Sequence, residues 1–367
     1  MKDIIIIGGG LAGLVSSILL KKAGFEVMVI EKKGYPFHRV CGEYISNEVK
    51  DFLLAEELYP THLAPAEISR FRLSSPDGNV AEMPLDLGGF GVSRYALDDF
   101  LYQKALALGV HFLIPTQVLS VTQEEDHFTV ETNRDGIFKS KLVIGAFGKR
   151  SRLDKQLERR FINQRSPYIG VKYHIKLDYD ADVVALHNFQ GGYCGINRVE
   201  NDTFNLCYLG SQKSLKKYGN IPDMEAQVLW KNPHLKAIFQ QAEFLFEKPE
   251  VINEVSFAAK KPVEKGVFMT GDAAGLITPL CGNGMALAIH SAKLLSELII
   301  KHEGNHPKIV SAYTRGWNAL FKQRLWTGRQ LQRLFGSSSL SNLAVGLVKN
   351  SHSLSTWLMK QTHGQPI

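Results

Sequence analysis

Asp3-Ile-Ile-Ile-Ile-Gly-Gly-Gly-Leu-Ala-Gly13 is a β-branched run ending in glycines, and what surrounds it decides the fold. Four consecutive isoleucines suit a strand buried on both faces. Residues 11–23 then carry apolar side chains at helical spacing and stop at Gly24, a fitting C-terminal cap. Phe25-Glu-Val-Met-Val-Ile30 is a second strand, closed by Glu31. Gly8, Gly10 and Gly13 therefore form GxGxxG where strand turns into helix. The first glycine permits the tight turn, the second lets the backbone approach a pyrophosphate, and the third lets helix and strand pack closely. Leu11, Ala12 and Gly13 sit at the helix start, where oriented N–H groups face the anion. Glu31 stands where a carboxylate can hold ribose hydroxyls. The unit reads as a dinucleotide site. An acid at this point favours an unphosphorylated ribose, while Lys32 and Lys33 leave a 2′-phosphate open.

Further strand-like runs lie at 110–114, 118–122, 128–132 and 142–146. Alternating runs at 170–177, 183–189 and 205–209 predict an antiparallel sheet in another layer. A helical stretch around 224–241 precedes a buried strand at 266–270 and a long apolar helix at 285–300. The link between these last two is Thr270-Gly-Asp-Ala-Ala-Gly-Leu-Ile-Thr-Pro-Leu-Cys-Gly-Asn-Gly-Met285. FAD is too long for one βαβ unit, and Asp272 at the strand tip can accept from its ribitol hydroxyls. Backbone N–H groups around Gly282, Asn283, Gly284 and Met285 can face the flavin ring edge and stabilise its anionic reduced form. No second GxGxxG follows a strand, since Gly88-Gly-Phe-Gly91 lacks the flanking pattern. NAD(P)H or another electron donor is therefore expected to visit transiently.

These stretches, with Val92-Ser-Arg-Tyr-Ala-Leu-Asp-Asp-Phe-Leu101, resemble FAD-dependent oxidoreductases of the glutathione-reductase-type fold in the p-hydroxybenzoate-hydroxylase-like superfamily. The resemblance runs to about residue 335. Arg39-Val-Cys-Gly-Glu43 and Gly191-Gly-Tyr193 are most similar to its geranylgeranyl-reductase and halogenase-like branch. It implies that Arg94 contacts FAD and that Arg39 lies near the pyrophosphate or ribitol. Val118 would meet the adenine through its backbone, and Gly148, Gly271 and Pro279 join the cofactor-binding set. Cys41 would lie near the isoalloxazine, as a proton donor or as a small residue packed beside it. Tyr193 would be a substrate-facing hydroxyl or a sheet residue lining the pocket. The superfamily's usual Asp-Gly pair is Phe147-Gly148 here, which weakens the expectation of nicotinamide reduction. The Trp and Pro that geranylgeranyl reductases tend to carry near 191–197 are missing. So are the paired tryptophans of tryptophan halogenases, which argues against halogenation.

The fold expected is α/β (α+β, two-domain): a Rossmann-like FAD-binding domain with an interleaved antiparallel-sheet substrate domain. The first comprises 1–70, 93–160 and 255–310, the second 71–92 and 161–254, and 311–367 is a basic C-terminal helical region. The function expected is a monooxygenase acting through reduced flavin on a small apolar substrate, whether polyketide, isoprenoid, fatty-acyl or aromatic. A double-bond reductase is the alternative, and a non-catalytic lipid or prenyl carrier on the same fold is the alternative from another class.

Composition sets the bounds. The 367 residues are 44% hydrophobic and 22% charged, enough for two packed units. Cys41, Cys194, Cys207 and Cys281 have no CxxC spacing, so neither a disulfide scaffold nor a metal site is expected. His302 and His306 lie in a Gly/Pro-containing stretch that reads as a solvated loop. The net charge of +7 is concentrated in 301–367, where nine Lys/Arg face one acid, Glu303. Residues 313–335 interleave Trp317, Phe321 and Leu325 with Arg315, Lys322, Arg324 and Arg329. That pattern fits an interfacial amphipathic helix, or a helix packing one face on the domain with its arginines in solvent. A carrier protein or a membrane surface are expected partners of such a tail. Nucleic acid is not, because no recognised binding module accompanies the charge. No targeting signal is evident, so a cytoplasmic location, peripheral to the membrane at most, is expected.

Overall fold

The computed structural model describes residues 1–164, 166–253, 255–277, 283–334, 341–342, 345–346 and 364–367. Lys2–Ile7 forms β1, with Ile4, Ile5 and Ile6 fully buried. The chain continues through α1 (Leu11–Lys22), β2 (Val27–Ile30), β3 (Tyr44–Ser46), α2 (Lys50–Ala55), β4 (Ala66–Ser74) and β5 (Val80–Gly91). Next come α3 (Arg94–Ala107), β6 (His111–Leu113), β7 (Val118–Gln123), β8 (Phe128–Thr132), β9 (Ile137–Gly145) and α4 (Arg152–Gln156). β10 (Tyr168–Lys176), β11 (Val183–Phe189), β12 (Gly192–Arg198) and β13 (Phe204–Ser211) follow. After them run α5 (Gln212–Tyr218), α6 (Ile221–Val228), α7 (Pro233–Gln241), β14 (Glu243–Phe244) and β15 (Glu250–Asn253). The last elements are β16 (Val263–Glu264), β17 (Val267–Met269), α8 (Gly284–Lys301) and α9 (His306–Leu334).

The first sheet has the order β16-β17-β9-β1-β2-β6. β1 is parallel to β2 and β9, pairing Ile4 with Val27 and with Leu142, and β17 adds in parallel beside β9. A parallel sheet needs both faces covered. Here α1 packs against α3 and α8, and α9 packs on α8. The strand nearest the N-terminus is thus flanked by one from residues 137–145, which bonds in turn to one from residues 267–269. That order brings three remote chain segments to a common carboxyl edge, where ligands bind in open α/β sheets.

The second sheet has the order β14-β10-β13-β12-β11-β4-β5-β3, with β15 also on β10. It is antiparallel except where β4 runs parallel to β11. One face packs Val171, Tyr173, Ile196, Leu206 and Tyr208 against Met224, Val228, Leu235 and Ile238 of α6 and α7. The opposite face turns toward the first unit.

Several elements differ from the sequence reading. Tyr44–Ser46 and Ala66–Arg70, assigned above to the nucleotide domain, are strands of the second sheet. The helix expected over 224–241 is two helices, because Asn232 leaves the helix to cap α7 and Pro233 begins it. α9 starts before residue 311 and shares the first unit's core through Ile309, Tyr313, Trp317, Phe321 and Leu325. Trp317, Phe321 and Leu325 pack on the protein while Arg315 and Lys322 are exposed, as the packing alternative has it, but Arg324 turns inward and donates to the buried Glu48 carboxylate at 3.2 Å. Phe335 lies outside the described residues. His306 is no solvated loop residue: it opens α9, pairs with the Gly266 carbonyl at 2.8 Å and sits against Phe128 and Phe268.

Candidate flavin site

The glycine turn is as tight as its spacing implies. A Cβ on Gly8 would lie 2.5 Å from the Ala146 carbonyl oxygen, and one on Gly13 would lie 2.0 Å from that of Gly8. Both are distances no side chain tolerates. α1 begins at Leu11 with no side-chain cap and no acid in its first turn, so Leu11, Ala12 and Gly13 present the positive end of the helix. Two cations converge over this turn. Arg94 Nε and Nη2 donate to Asp98 at 2.6 Å each, and Arg39 Nε donates to the same carboxylate at 3.1 Å. A Cβ on Gly10 would stand 3.5 Å from Arg94 Nη2 and 3.9 Å from the Arg39 guanidinium carbon. Uncapped N–H groups on one side and two guanidinium groups on the other suit a pyrophosphate.

Glu31 is buried at the end of β2. Its carboxylate accepts the Gly9 N–H at 2.8 Å and the Lys33 N–H at 3.1 Å, with Arg39 Nη2 at 3.4 Å. It therefore fixes the glycine turn itself, beside any hydroxyl it would hold. Lys32 is exposed. Tyr35 donates to the Gly9 carbonyl and stacks on Tyr102. Val118 starts β7 two residues after Thr116, whose N–H bonds the Glu31 carbonyl at 2.9 Å. These contacts gather Glu31, Tyr35 and the start of β7 at one edge of the turn.

The second half of the site converges on the first. Gly271 adopts φ +60°, and a Cβ there would lie 3.0 Å from the Ala12 side chain. Arg94 shows the same convergence. Burial opposes its charge, but Asp98 outweighs it, and Cys41 and Asp272 add to the field that holds the guanidinium above its ordinary range. Asp272, half-buried, sits in a turn whose carbonyls are clamped from outside. Lys260 Nζ donates to the carbonyls of Asp272 and Lys149, both at 2.8 Å. Arg159, buried and paired with Asp154 at 2.8 Å, donates to the Ala273 carbonyl at 2.9 Å. Burial and the neighbouring Arg159 charge push the Lys260 ammonium down to about 8. Asn283 and Met285 are buried at the start of α8, where Gly284 begins a helix with no acid in its first turn. Gly148 is half-buried with φ +81° in the bend after β9. Pro279 and Gly282 lie outside the described residues. Asp272→Ala is expected to raise the FAD dissociation constant roughly tenfold, the worth of about one charge-assisted hydrogen bond, read by flavin fluorescence titration.

Cys41 is half-buried in the segment between Arg39 and Glu43 and is close enough to Cys207 to influence its thiol, which burial pushes up to about 12. Tyr193 is buried on β12, on the face turned toward the Asp272 turn. It clusters with Leu186, Leu209, Val255 and Leu276, joined by Val345. Sequence reasoning missed Lys260, Tyr35, Lys172 and His174. Lys260 and Lys261 look like ordinary surface charge before a proline, and nothing local marks the first as buried.

A glycine turn, two cations above it, a clamped acid turn from a remote segment and a second sheet laid across them define a two-sheet FAD-binding fold. Residues 1–318 match the family described as FAD binding domain, and the chain belongs to it. It is similar to digeranylgeranylglycerophospholipid reductase of Methanosarcina acetivorans, 23% identical over 339 residues covering 86% of this chain and 80% of that one. It is also similar to conditioned medium factor receptor 1 of Dictyostelium discoideum, 24% identical over 335 residues. That match covers 82% of this chain and spans 63% of the relative's length. Among solved structures, the flavin-dependent brominase Bmp2 superposes with a TM-score of 0.80 at 20% identity, covering 98% of this chain and 93% of that one, which shows the shared fold. The resemblance read from the sequence is thus shown: this is an FAD-binding oxidoreductase fold, with sequence relatives named as geranylgeranyl reductases and with flavin-dependent halogenases sharing the fold.

Proposed function

We propose that the protein uses reduced FAD to saturate a carbon–carbon double bond in a long apolar substrate. The observation that carries this reading is the apolar character of the second sheet where it meets the segment after Asp272: Tyr193, Leu186 and Leu209 are buried there together with Val255 and Leu276. A pocket bordered by residues of that kind suits hydrocarbon better than a charged substrate. Two features tilt the reading from oxygen insertion, favoured by sequence alone, toward reduction. One is the relative named as a reductase of a digeranylgeranyl lipid. The other is the half-buried Cys41 thiol beside Arg94, a group of this chain placed to give up a proton.

Bound FAD would supply the two electrons as a hydride equivalent. The chain's own groups would hold the pyrophosphate (Arg39, Arg94, the α1 N-terminus), seat the ribitol (Asp272) and exclude water from the substrate. A visiting NAD(P)H or other donor would recharge the flavin. Stopped-flow mixing of the protein with NADH, NADPH or chemical reductant, followed by a panel of polyprenyl, acyl and aromatic substrates, tests the reading. The expected product gains two mass units per turnover without oxygen. A product that gains sixteen and requires oxygen would replace reduction by monooxygenation. A colourless protein that refuses added FAD would return the prenyl-carrier alternative.

A further inference from the structure

We infer that Glu43 is a positioning residue for the flavin site, held in register by Lys172 and His174 of the second sheet. The inference rests on the FAD reading and assigns a role that the motif Arg39-Val-Cys-Gly-Glu43 does not itself reveal.

Glu43 is fully buried, with φ +54°, directly after Cys41-Gly42. Its Oε1 accepts from Lys172 Nζ at 2.5 Å and from the Arg94 N–H at 2.7 Å, and its Oε2 pairs with His174 Nε2 at 2.7 Å. Its carbonyl accepts from the Val92 N–H at 3.2 Å and from Asn197 Nδ2 at 3.3 Å. Neighbouring carbonyls are held as well: Gly42 by Asn205 Nδ2 at 2.8 Å and Val40 by Lys149 Nζ at 3.2 Å. One carboxylate thus ties β10 of the second sheet to the first residue of α3, and the segment it anchors carries both Arg39 and Cys41.

The chemistry of each contact is directional. Arg94 is the first residue of α3, and its N–H has no partner within the helix. A carboxylate there satisfies the donor and faces the positive end of the helix dipole. The loop between β12 and β13 grips the same helix start again through Glu200, which accepts from the Ser93 N–H at 2.8 Å and from Ser93 Oγ at 2.5 Å. The backbone that carries the Arg94 guanidinium is therefore held by Glu43 and Glu200, while Asp98 of the same helix fixes the guanidinium itself. Burial alone would push the Glu43 carboxyl upward, but the Lys172 charge and the His174 hydrogen bond hold it at about 2, so it stays anionic. His38, packed edge-on against His174, is pushed down to about 4 by burial and by the Lys172 and His174 charges, and stays neutral near pH 7.

Stability alone does not account for such a pair. A buried ion pair exchanged for well-packed apolar residues often costs nothing, whereas removing one partner is strongly unfavourable. What an apolar exchange would lose here is the hydrogen-bond register at the Arg94 N–H and along the segment that carries Cys41.

That difference gives the experiment. Glu43→Gln and the charge-free double variant Glu43→Leu/Lys172→Met are compared with wild type. The readouts are FAD dissociation constant, apoprotein melting temperature, and the rate at which iodoacetamide alkylates Cys41, followed by peptide mass spectrometry. Both variants are expected to bind FAD about tenfold more weakly and to alkylate Cys41 faster. The double variant should melt within a few degrees of wild type, so the weakened binding is not a general loss of fold. Wild-type and double-variant proteins that bind FAD equally tightly would overturn the positioning role alone. Wild-type protein that takes up no FAD would overturn the FAD reading and this role with it.

Discussion

Replacing Arg94 by Met is expected to weaken FAD binding roughly 100-fold. The side chain is largely buried, gripped by both Asp98 oxygens, and leans over Gly10 at the start of α1. A guanidinium fixed in that way meets a phosphate with no further loss of rotamer freedom, and charge-assisted hydrogen bonds are worth about 1.5–3 kcal/mol each. Losing about 3 kcal/mol corresponds to roughly two orders of magnitude in affinity. Asp98 does not become an orphan, because Arg39 Nε remains 3.1 Å from it. The fold should therefore survive and the apoprotein melt close to wild type. Arg94→Lys keeps the charge but not the two-pronged geometry, so its loss should be smaller, roughly tenfold. Fluorescence titration of FAD into the three apoproteins checks the series. A Met variant within threefold of wild type would remove Arg94 from the pyrophosphate site.

What could be read in advance follows the range of the interactions. The βαβ start was legible because its evidence is local: four isoleucines, three glycines and a closing acid within about thirty residues. α8 and β17 were legible for the same reason, as one apolar run of each period. The convergence of the Asp272 turn on Ala12 was readable only through the length of the nucleotide, which requires a second anchoring segment. The second sheet was half legible. β11 and β13 stand out as short apolar runs, but β12 starts at Gly192 inside Gly191-Gly-Tyr193, where the glycines mask a strand and Gly191 turns the β11–β12 hairpin at φ +86°. β5 ends in Gly88-Gly-Phe-Gly91, glycines that mask a strand. The parallel pairing of β4 with β11 joins residues more than a hundred positions apart, and no local pattern encodes it. Glu43 was hidden most completely. Its two side-chain partners on β10 lie 129 and 131 residues away, so an acid in a short motif gave no hint of a buried cluster.

Glu225→Gln is expected to stabilise the protein by about 3 kcal/mol above pH 7 and to change little below pH 4.5. Glu225 lies on α6 beneath the second sheet, where its Oε1 accepts from the hydroxyls of Tyr208 at 2.8 Å and Tyr173 at 3.0 Å. Burial pushes the carboxyl up to about 7 from its ordinary 4.5, and the two tyrosine hydrogen bonds recover only part of that. The direction of the pH effect follows. Below 4.5 the group is protonated in both folded and unfolded chains and costs nothing. Between 4.5 and about 7 the unfolded chain ionises while the folded one holds its proton, so wild-type stability falls as pH rises. Above about 7 the penalty is complete, and that interval corresponds to about 3 kcal/mol. Glutamine keeps the accepting oxygen for both tyrosines and has no proton to lose, so the difference should appear in urea unfolding at pH 8 and vanish at pH 4. An equal difference at both values would show that burial does not raise this carboxyl above its unfolded value. Because Glu225 lies on the sheet face away from the glycine turn, its replacement should leave FAD affinity unmoved, the opposite of what Glu43 should do from the other face of the same strands.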